Sequence, residues 1–384
     1  MRTSPALAAL MAAAMIAGCS TAASVAEPGQ SASAHPAGPI GRGLSSVVTA
    51  ACTDTVSDAA SLQRAIDTSA VGSTIEIKGP TCLLVSGITF LSDRTYTGYN
   101  TTGTVLKQDG AMAYVLGSYA YADNSSYTDD PVTIRNLTIE CNGSANTDGI
   151  IVLNWQADVE GVDVNGCGGS GIVDTNTTAN GRAIDNSSVN SRFDNNFISD
   201  SRDYGFEVHD TGNSVTDGFL DDNQIAQSGR DAIHLENAAG WDISGNNLYA
   251  DSQSAIYANR MYGTTISNNY IEDFGVAQGS GTWYGIVATV QGGVGSTIFN
   301  NKISNQKSGS RRARYVYVCI TGTNYGTGYV TVTGNVIVGT QASDVGLSFS
   351  GGSSKLVVAS SGNVVANVGT VRSDSPGVTV AAGI

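Results

Sequence analysis

Asparagine recurs along this chain immediately ahead of short apolar runs. It does so at Asn136-Leu137-Thr138-Ile139, Asn196-Phe197-Ile198, Asn223-Gln224-Ile225, Asn247-Leu248, Asn269-Tyr270-Ile271, Asn301-Lys302-Ile303, Asn335-Val336-Ile337 and Asn363-Val364-Val365. From Asn196 onward the separations are 27, 24, 22, 32, 34 and 28 residues. A period of roughly 20 to 50 residues marks a solenoid, in which each repeat buries its apolar side only against its neighbours. Between the asparagines lie short alternations of Val, Ile, Phe and Leu broken by Gly, Asn and Asp, which is strand chemistry with turn punctuation. No leucine spacing of the leucine-rich kind is present. The expected fold is therefore all-β, a single-stranded right-handed parallel β-helix. An asparagine at a fixed turn can adopt the left-handed conformation and ladder its amide from coil to coil.

The stack needs covering at its ends. Residues Asp58 to Ser69 (DAASLQRAIDTS) form the one clear amphipathic helix and suit an N-terminal cap. The run DAASLQRAIDTSAVGSTIEIKG, with VSGITF and TVLKQDG after it, resembles the opening of pectate-lyase-like β-helix proteins. That resemblance implies the same fold. The superfamily holds lyases, epimerases, hydrolases, fructotransferases and tailspikes, so the fold alone names no chemistry.

The first residues read as an export signal. Arg2 precedes an apolar run from Ala6 to Ile16 that is too short to span a bilayer. Ile16-Ala17-Gly18-Cys19 resembles the bacterial lipobox, which implies cleavage before Cys19, lipidation of Cys19 and a surface or periplasmic location, with the membrane reached through the lipid alone. Residues 19–46, rich in Ala, Ser, Gly and Pro, read as a flexible tether carrying His35. Residues 47–384 are then the β-helix. The net charge of −14 argues against nucleic acid as a partner. Of six cysteines, Cys52 and Cys82 flank the N-terminal region, Cys141 and Cys167 stand 26 residues apart, about one coil, and Cys319 is left over. An oxidising compartment would let the first four form disulfides. No CxxC pair suggests zinc.

Three consecutive coils can be read for alternation: Gly205-Phe206-Glu207-Val208-His209-Asp210, Ala232-Ile233-His234-Leu235-Glu236-Asn237 and Ala255-Ile256-Tyr257-Ala258-Asn259-Arg260. With the aliphatic positions inward, Glu207, His209, His234, Glu236, Tyr257 and Asn259 share one outer face. Coils ~4.8 Å apart put Glu207 beside His234 and His209 beside Glu236. Tyr204, Asp231 and Ser254 line up one step upstream. Both histidines of the folded body fall in this patch, each next to a carboxylate that would raise its pKa. A solvated charge ladder is the bland alternative. Trp155, Trp283 and Tyr284 are expected in or beside loops, where rings can stack on sugars. Excursions at Thr175 to Arg192, Phe274 to Trp283 and Asn305 to Tyr315 would wall a cleft. Lys302, Lys307, Arg311, Arg312 and Arg314 concentrate positive charge in an otherwise acidic chain.

The string Tyr204-Gly205-Phe206-Glu207-Val208-His209-Asp210 is similar to the Tyr-Gly-Phe-Asp-Pro-His-Glu motif of mannuronan C5-epimerases and related alginate lyases. That resemblance implies a proton-transfer pair of Tyr204 and His209, with Glu207 in support and Asp231 and Glu236 on the next coil. Val208 replaces the proline, and the family's lysine has no counterpart, so Arg260 or the Arg311–Arg312 loop would neutralise a uronate. Tyr257, Asn259, Trp283 and Tyr284 complete the expected substrate contacts, and His234 the catalytic set. A second reading is hydrolysis or fructosyl transfer by paired carboxylates among Glu207, Asp231 and Glu236. Asn146-Thr147-Asp148-Gly149 resembles the polygalacturonase NTD motif, but that family's later Gly-His-Gly and Arg-Ile-Lys are missing. A third is a non-catalytic glycan-binding lipoprotein. All three take an extracellular polysaccharide as partner. Calcium would suit a lyase, although no compact acidic cluster marks a site. The residues leave the oligomeric state open.

Overall fold

The computed structural model describes residues 46–184, 186–277, 281–306 and 314–381. The expected signal segment and tether, Cys19, His35, Lys307, Arg311 and Arg312 lie outside the described residues.

Among the described residues, thirteen strands from Val47–Ala51 to Val378–Ala381 form sheet 1. Eleven from Thr81–Leu84 to Val364–Ala366 form sheet 2, and eleven from Ile88–Phe90 to Thr370–Asp374 form sheet 3. One coil runs through all three: Arg192–Asp194 in sheet 1, Phe197–Ser199 in sheet 2, Phe206–His209 in sheet 3. The next coil returns to sheet 1 at Phe219–Asp221, parallel to Arg192–Asp194. The chain is an all-β right-handed parallel β-helix. Its interior is a continuous apolar stack in which Phe193, Phe206 and Trp241 pack together, with ring centroids 4.7 Å apart for Phe193–Phe206 and 5.8 Å for Phe206–Trp241.

The turn between sheets 1 and 2 divides between two residues the two roles expected of one asparagine. The first residue takes the left-handed conformation: Asn195 (φ 55), Asp222 (φ 54), Gly245 (φ 71), Asn268 (φ 57) and Asn300 (φ 55). At Gly245 a Cβ would come within 2.1 Å of Asp222 Oδ1, so a larger residue there has to displace that carboxylate. The second residue carries the ladder. Asn196, Asn223, Asn246, Asn269, Asn301, Asn335 and Asn363 are linked by side-chain amides, each donating Nδ2–H to the next Oδ1 at 2.9–3.0 Å. The ladder residue ahead of strand Asn247–Tyr249 is thus Asn246. Asn247, which the sequence pattern marked, starts the outer edge of strand Asn247–Tyr249. Asn136 is likewise a left-handed turn residue (φ 56), with buried Leu137 in the ladder position.

The N-terminal helix spans Asp58–Asp67 and lays Ala59, Leu62 and Ile66 on the end of the stack. Burial opposes the charge of Asp58, yet N–H donors from Thr55, Leu83 and Thr53 outweigh it and lower its pKa. Disulfides join Cys52 to Cys82 and Cys141 to Cys167, each tying neighbouring coils. Cys319 is buried.

Candidate active site

Sheet 3 presents the polar face. Its register pairs Phe206 with Ile233 and Ile256, so Glu207, His234 and Tyr257 form one outward row. His209, Glu236 and Asn259 form the second, because each lies two residues beyond a member of the first row. Phe206, Val208, Ile233, Leu235, Ile256 and Ala258 are fully buried, whereas the six outward residues are half-buried. Period-two alternation alone accounts for this division.

His209 lies between two carboxylates. Its Nδ1 is 3.1 Å from Glu236 Oε2 and 3.9 Å from Glu207 Oε1. The Glu236 hydrogen bond raises the imidazole pKa against the opposing effect of burial. In Glu236, burial works to raise the pKa but the His209 hydrogen bond prevails and lowers it. Glu236 Oε2 also accepts the Asp210 N–H at 3.0 Å, which fixes its rotamer. Both partners remain 37% exposed, so the pair is open to a ligand.

His234 is held differently from the expected checkerboard. It is in register with Glu207, but its Nδ1 goes to Asp231 Oδ2 at 2.8 Å. Asp231 uses its other oxygen to accept the Ser254 N–H at 2.8 Å. The imidazole is sandwiched between Tyr204 and Tyr257, with centroid separations of 4.1 and 4.4 Å. Asp231 therefore sets the ring orientation, and the three rings form a column across three coils. The exposed Arg230 guanidinium sits 4.6 Å from the Tyr204 ring centroid. Burial raises the Tyr204 pKa; Arg230 opposes this, and Asp231, Glu207 and Asp203 add to it. The phenol therefore keeps its proton.

Two residues absent from the expected set join the face from earlier coils. Ser170 donates its hydroxyl to Glu207 Oε2 at 2.6 Å, and its N–H to Asp148 Oδ1 at 2.7 Å. Burial, reinforced by the Glu207 and Asp203 charges, pushes the Asp148 carboxyl up to about 7, despite the Ser170 N–H and His209. The excursion after Thr175 packs against neighbouring coils. Ile184 packs with Leu153 and Ala120 of a short helix, Tyr119–Ala122, and Thr177 Oγ1 meets Thr211 Oγ1 at 3.3 Å.

The other expected contacts are distributed unevenly. Asn259 stays on the face, donating to the Glu236 carbonyl and accepting from Thr289 Oγ1. Arg260 occupies a bulge with φ 63, is only 7% exposed, and directs its guanidinium to Asn213 Oδ1 at 3.1 Å. Trp283 and Tyr284 are not loop residues but belong to strand Thr282–Val290. Trp283 packs on the core, while Tyr284 packs outward with Val287, Val316 and Val345, where the face turns apolar. Trp155 is 38% exposed. Among the described residues no cluster of three or more His, Cys, Asp or Glu is arranged to hold a metal ion.

The fold places the chain among right-handed parallel β-helix proteins. It is similar in structure to the A-module of mannuronan C-5 epimerase AlgE6 from Azotobacter vinelandii, with TM-score 0.54 and 16% identity over 85% of this chain and 96% of that one. The Dettilon tailspike protein gives 0.55 and 12%, covering 85% and 68%. The catalytic unit of the GH87 alpha-1,3-glucanase from Streptomyces thermodiastaticus gives 0.50 and 14%, covering 92% and 70%. No family model matches the chain, and no curated protein matches it.

Proposed function

We propose that this protein acts on an extracellular polysaccharide containing uronate residues, as a lyase or C5-epimerase working by acid–base catalysis on sheet 3. The observation that carries this reading is the His209 imidazole held between Glu236 and Glu207 on an open face. The two pKa directions support these roles. An imidazole made more basic by carboxylates suits removal of the C5 proton, and a phenol that retains its proton suits donation. In elimination, the C5–H bond breaks with its proton passing to His209. The C4–O4 bond breaks with the Tyr204 proton passing to O4, and the C4–C5 double bond forms. In epimerisation Tyr204 returns a proton to the opposite face of C5 instead. Arg230 is the cation next to Tyr204 and would neutralise the substrate carboxylate. Export and lipid anchoring through Cys19 belong to the same proposal, since the substrate is extracellular.

The test is a panel of alginate, pectate, glucuronan, inulin and neutral glucans, with and without calcium, reading unsaturated-uronate absorbance and reducing ends together. Absorbance on a uronate polymer, or inversion at C5 seen by NMR without it, lost in His209→Ala and Tyr204→Phe, is the expected result. Reducing ends without absorbance would overturn it.

One observation favours a second reading, glycoside hydrolysis. A carboxyl raised to about 7, Asp148, linked through Ser170 to the Glu207 carboxylate, is the division of labour that a general acid and its partner need. Asp148→Asn separates the two. Hydrolysis would fall by at least about 100-fold, the usual worth of a general acid. The uronate reaction would keep its rate within a few-fold.

A further inference from the structure

A cavity of about 420 Å³ opens away from the sheet 3 face, along the corner between sheets 1 and 2. Its size falls within the usual range for small-ligand sites. The floor is the outward row of sheet 2, where Asp163, Phe197, Gln224 and Asn247 succeed one another in register on adjacent coils, and Tyr270 continues the row one coil beyond the cavity. The loop carrying Asn100 and Thr101 forms one wall, tied down where Thr138 Oγ1 donates to the Thr101 carbonyl. Tyr99, on the same loop, is 83% exposed.

The chemistry of this row is specific in kind. Phe197 is half-buried and Tyr270 is 41% exposed, and three coil steps of ~4.8 Å separate them by ~14 Å along the helix axis. The amides of Gln224 and Asn247 lie between, each offering both donors and an acceptor. Aromatic faces spaced along an axis with amides between them suit the apolar faces and hydroxyl edges of a pyranose chain. The charged residues lining the cavity are Asp163 and Asp222, and the one cation of the row, Lys302, lies beyond Tyr270. A polyanion would be repelled here.

We propose that this corner is a second, non-catalytic glycan-binding groove, which takes a neutral, hydroxyl-rich polysaccharide chain lying along the helix axis. It would hold the protein on a neutral component of the matrix while the sheet 3 face works elsewhere. The groove shares no residue with the His209 cluster, so the two readings stand or fall separately.

The experiment is calorimetric titration of the full chain with cello-, malto- and laminarihexaose and with hexamannuronate. At least one neutral hexaose should bind, with the same affinity in His209→Ala. Phe197→Ala should weaken that binding about tenfold, equivalent to ~1.4 kcal/mol. Asn247→Lys, at an exposed position that places no demand on the core, should weaken it at least as much. Failure of all three neutral hexaoses to bind would overturn the proposal. So would binding that survives both groove variants, or that disappears in His209→Ala.

Discussion

At the residue scale, His209 and Glu236 hold each other in opposite protonation tendencies. The raised imidazole pKa contributes stability that is complete below the ordinary value of 6.5 and is lost as pH rises through the raised one. The lowered Glu236 pKa contributes stability present above its ordinary 4.5 and lost as pH falls through the lowered value. Both contributions are therefore present together between about pH 4.5 and 6.5. Glu236→Gln removes the hydrogen-bond acceptor charge and leaves Glu207 as the remaining carboxylate on Nδ1. The expected outcome is a downward shift of the His209 titration, measured by NMR of the imidazole. An unchanged titration would mean that Glu236 does not set the basicity of this group. The sequence shows these residues sharing a face, because alternation fixes which side each occupies. It does not show where a ring turns once there. His234 is the clear case: register brings it beside Glu207, but Asp231, three residues upstream in its own turn, takes its Nδ1.

At the scale of elements, the asparagine ladder is the device that stacks the coils from Asn196 onward. Each amide satisfies a buried backbone carbonyl and accepts from the backbone N–H of the preceding ladder residue, as Asn246 does with Leu220 O and Asn223 N–H. Buried polar groups left without partners are costly. Asn246→Ala removes the acceptor for both the backbone and side-chain donors of Asn223. We expect a loss of about 3 kcal/mol of stability in denaturant unfolding. The exposed neighbour Asn247→Ala should cost under about 0.5 kcal/mol. Comparable losses in both variants would contradict the ladder assignment. The repeat itself was legible because its chemistry is local to a turn. At this coil the sequence pattern points one residue too far along, since two adjacent asparagines, Asn246 and Asn247, look alike in sequence and differ only in which side of the wall they face. Trp283 shows the same one-residue parity: its place in a strand sends it toward the core and its neighbour Tyr284 outward.

At the scale of the whole molecule, coils of unequal length bring distant residues together. Ser170 and Glu207 are 37 residues apart in sequence and 2.6 Å apart in space. A constant period cannot foresee such a contact, so alternation alone does not place Asp148 and Ser170 on the face, and Arg230 lies upstream of the strand in which alternation is read. The net charge of −14 also acts at this scale. It opposes the approach of a polyuronate, and added salt screens it over the Debye length, ~10 Å at 0.1 M. Raising ionic strength from ~0.02 to ~0.2 M should therefore lower the KM for a uronate polymer and leave kcat nearly constant. A rising KM would show that local cations such as Arg230 govern capture. Both lyase and epimerase chemistry begin with loss of the proton at C5, so incubation with a uronate polymer in D2O tests the account most directly. It predicts, by NMR, deuterium at C5 of epimerised residues, or C4–C5 unsaturation at new chain ends, with both signals absent in His209→Gln. Cleavage that produces only new reducing ends, with the C5 proton retained throughout, would contradict it.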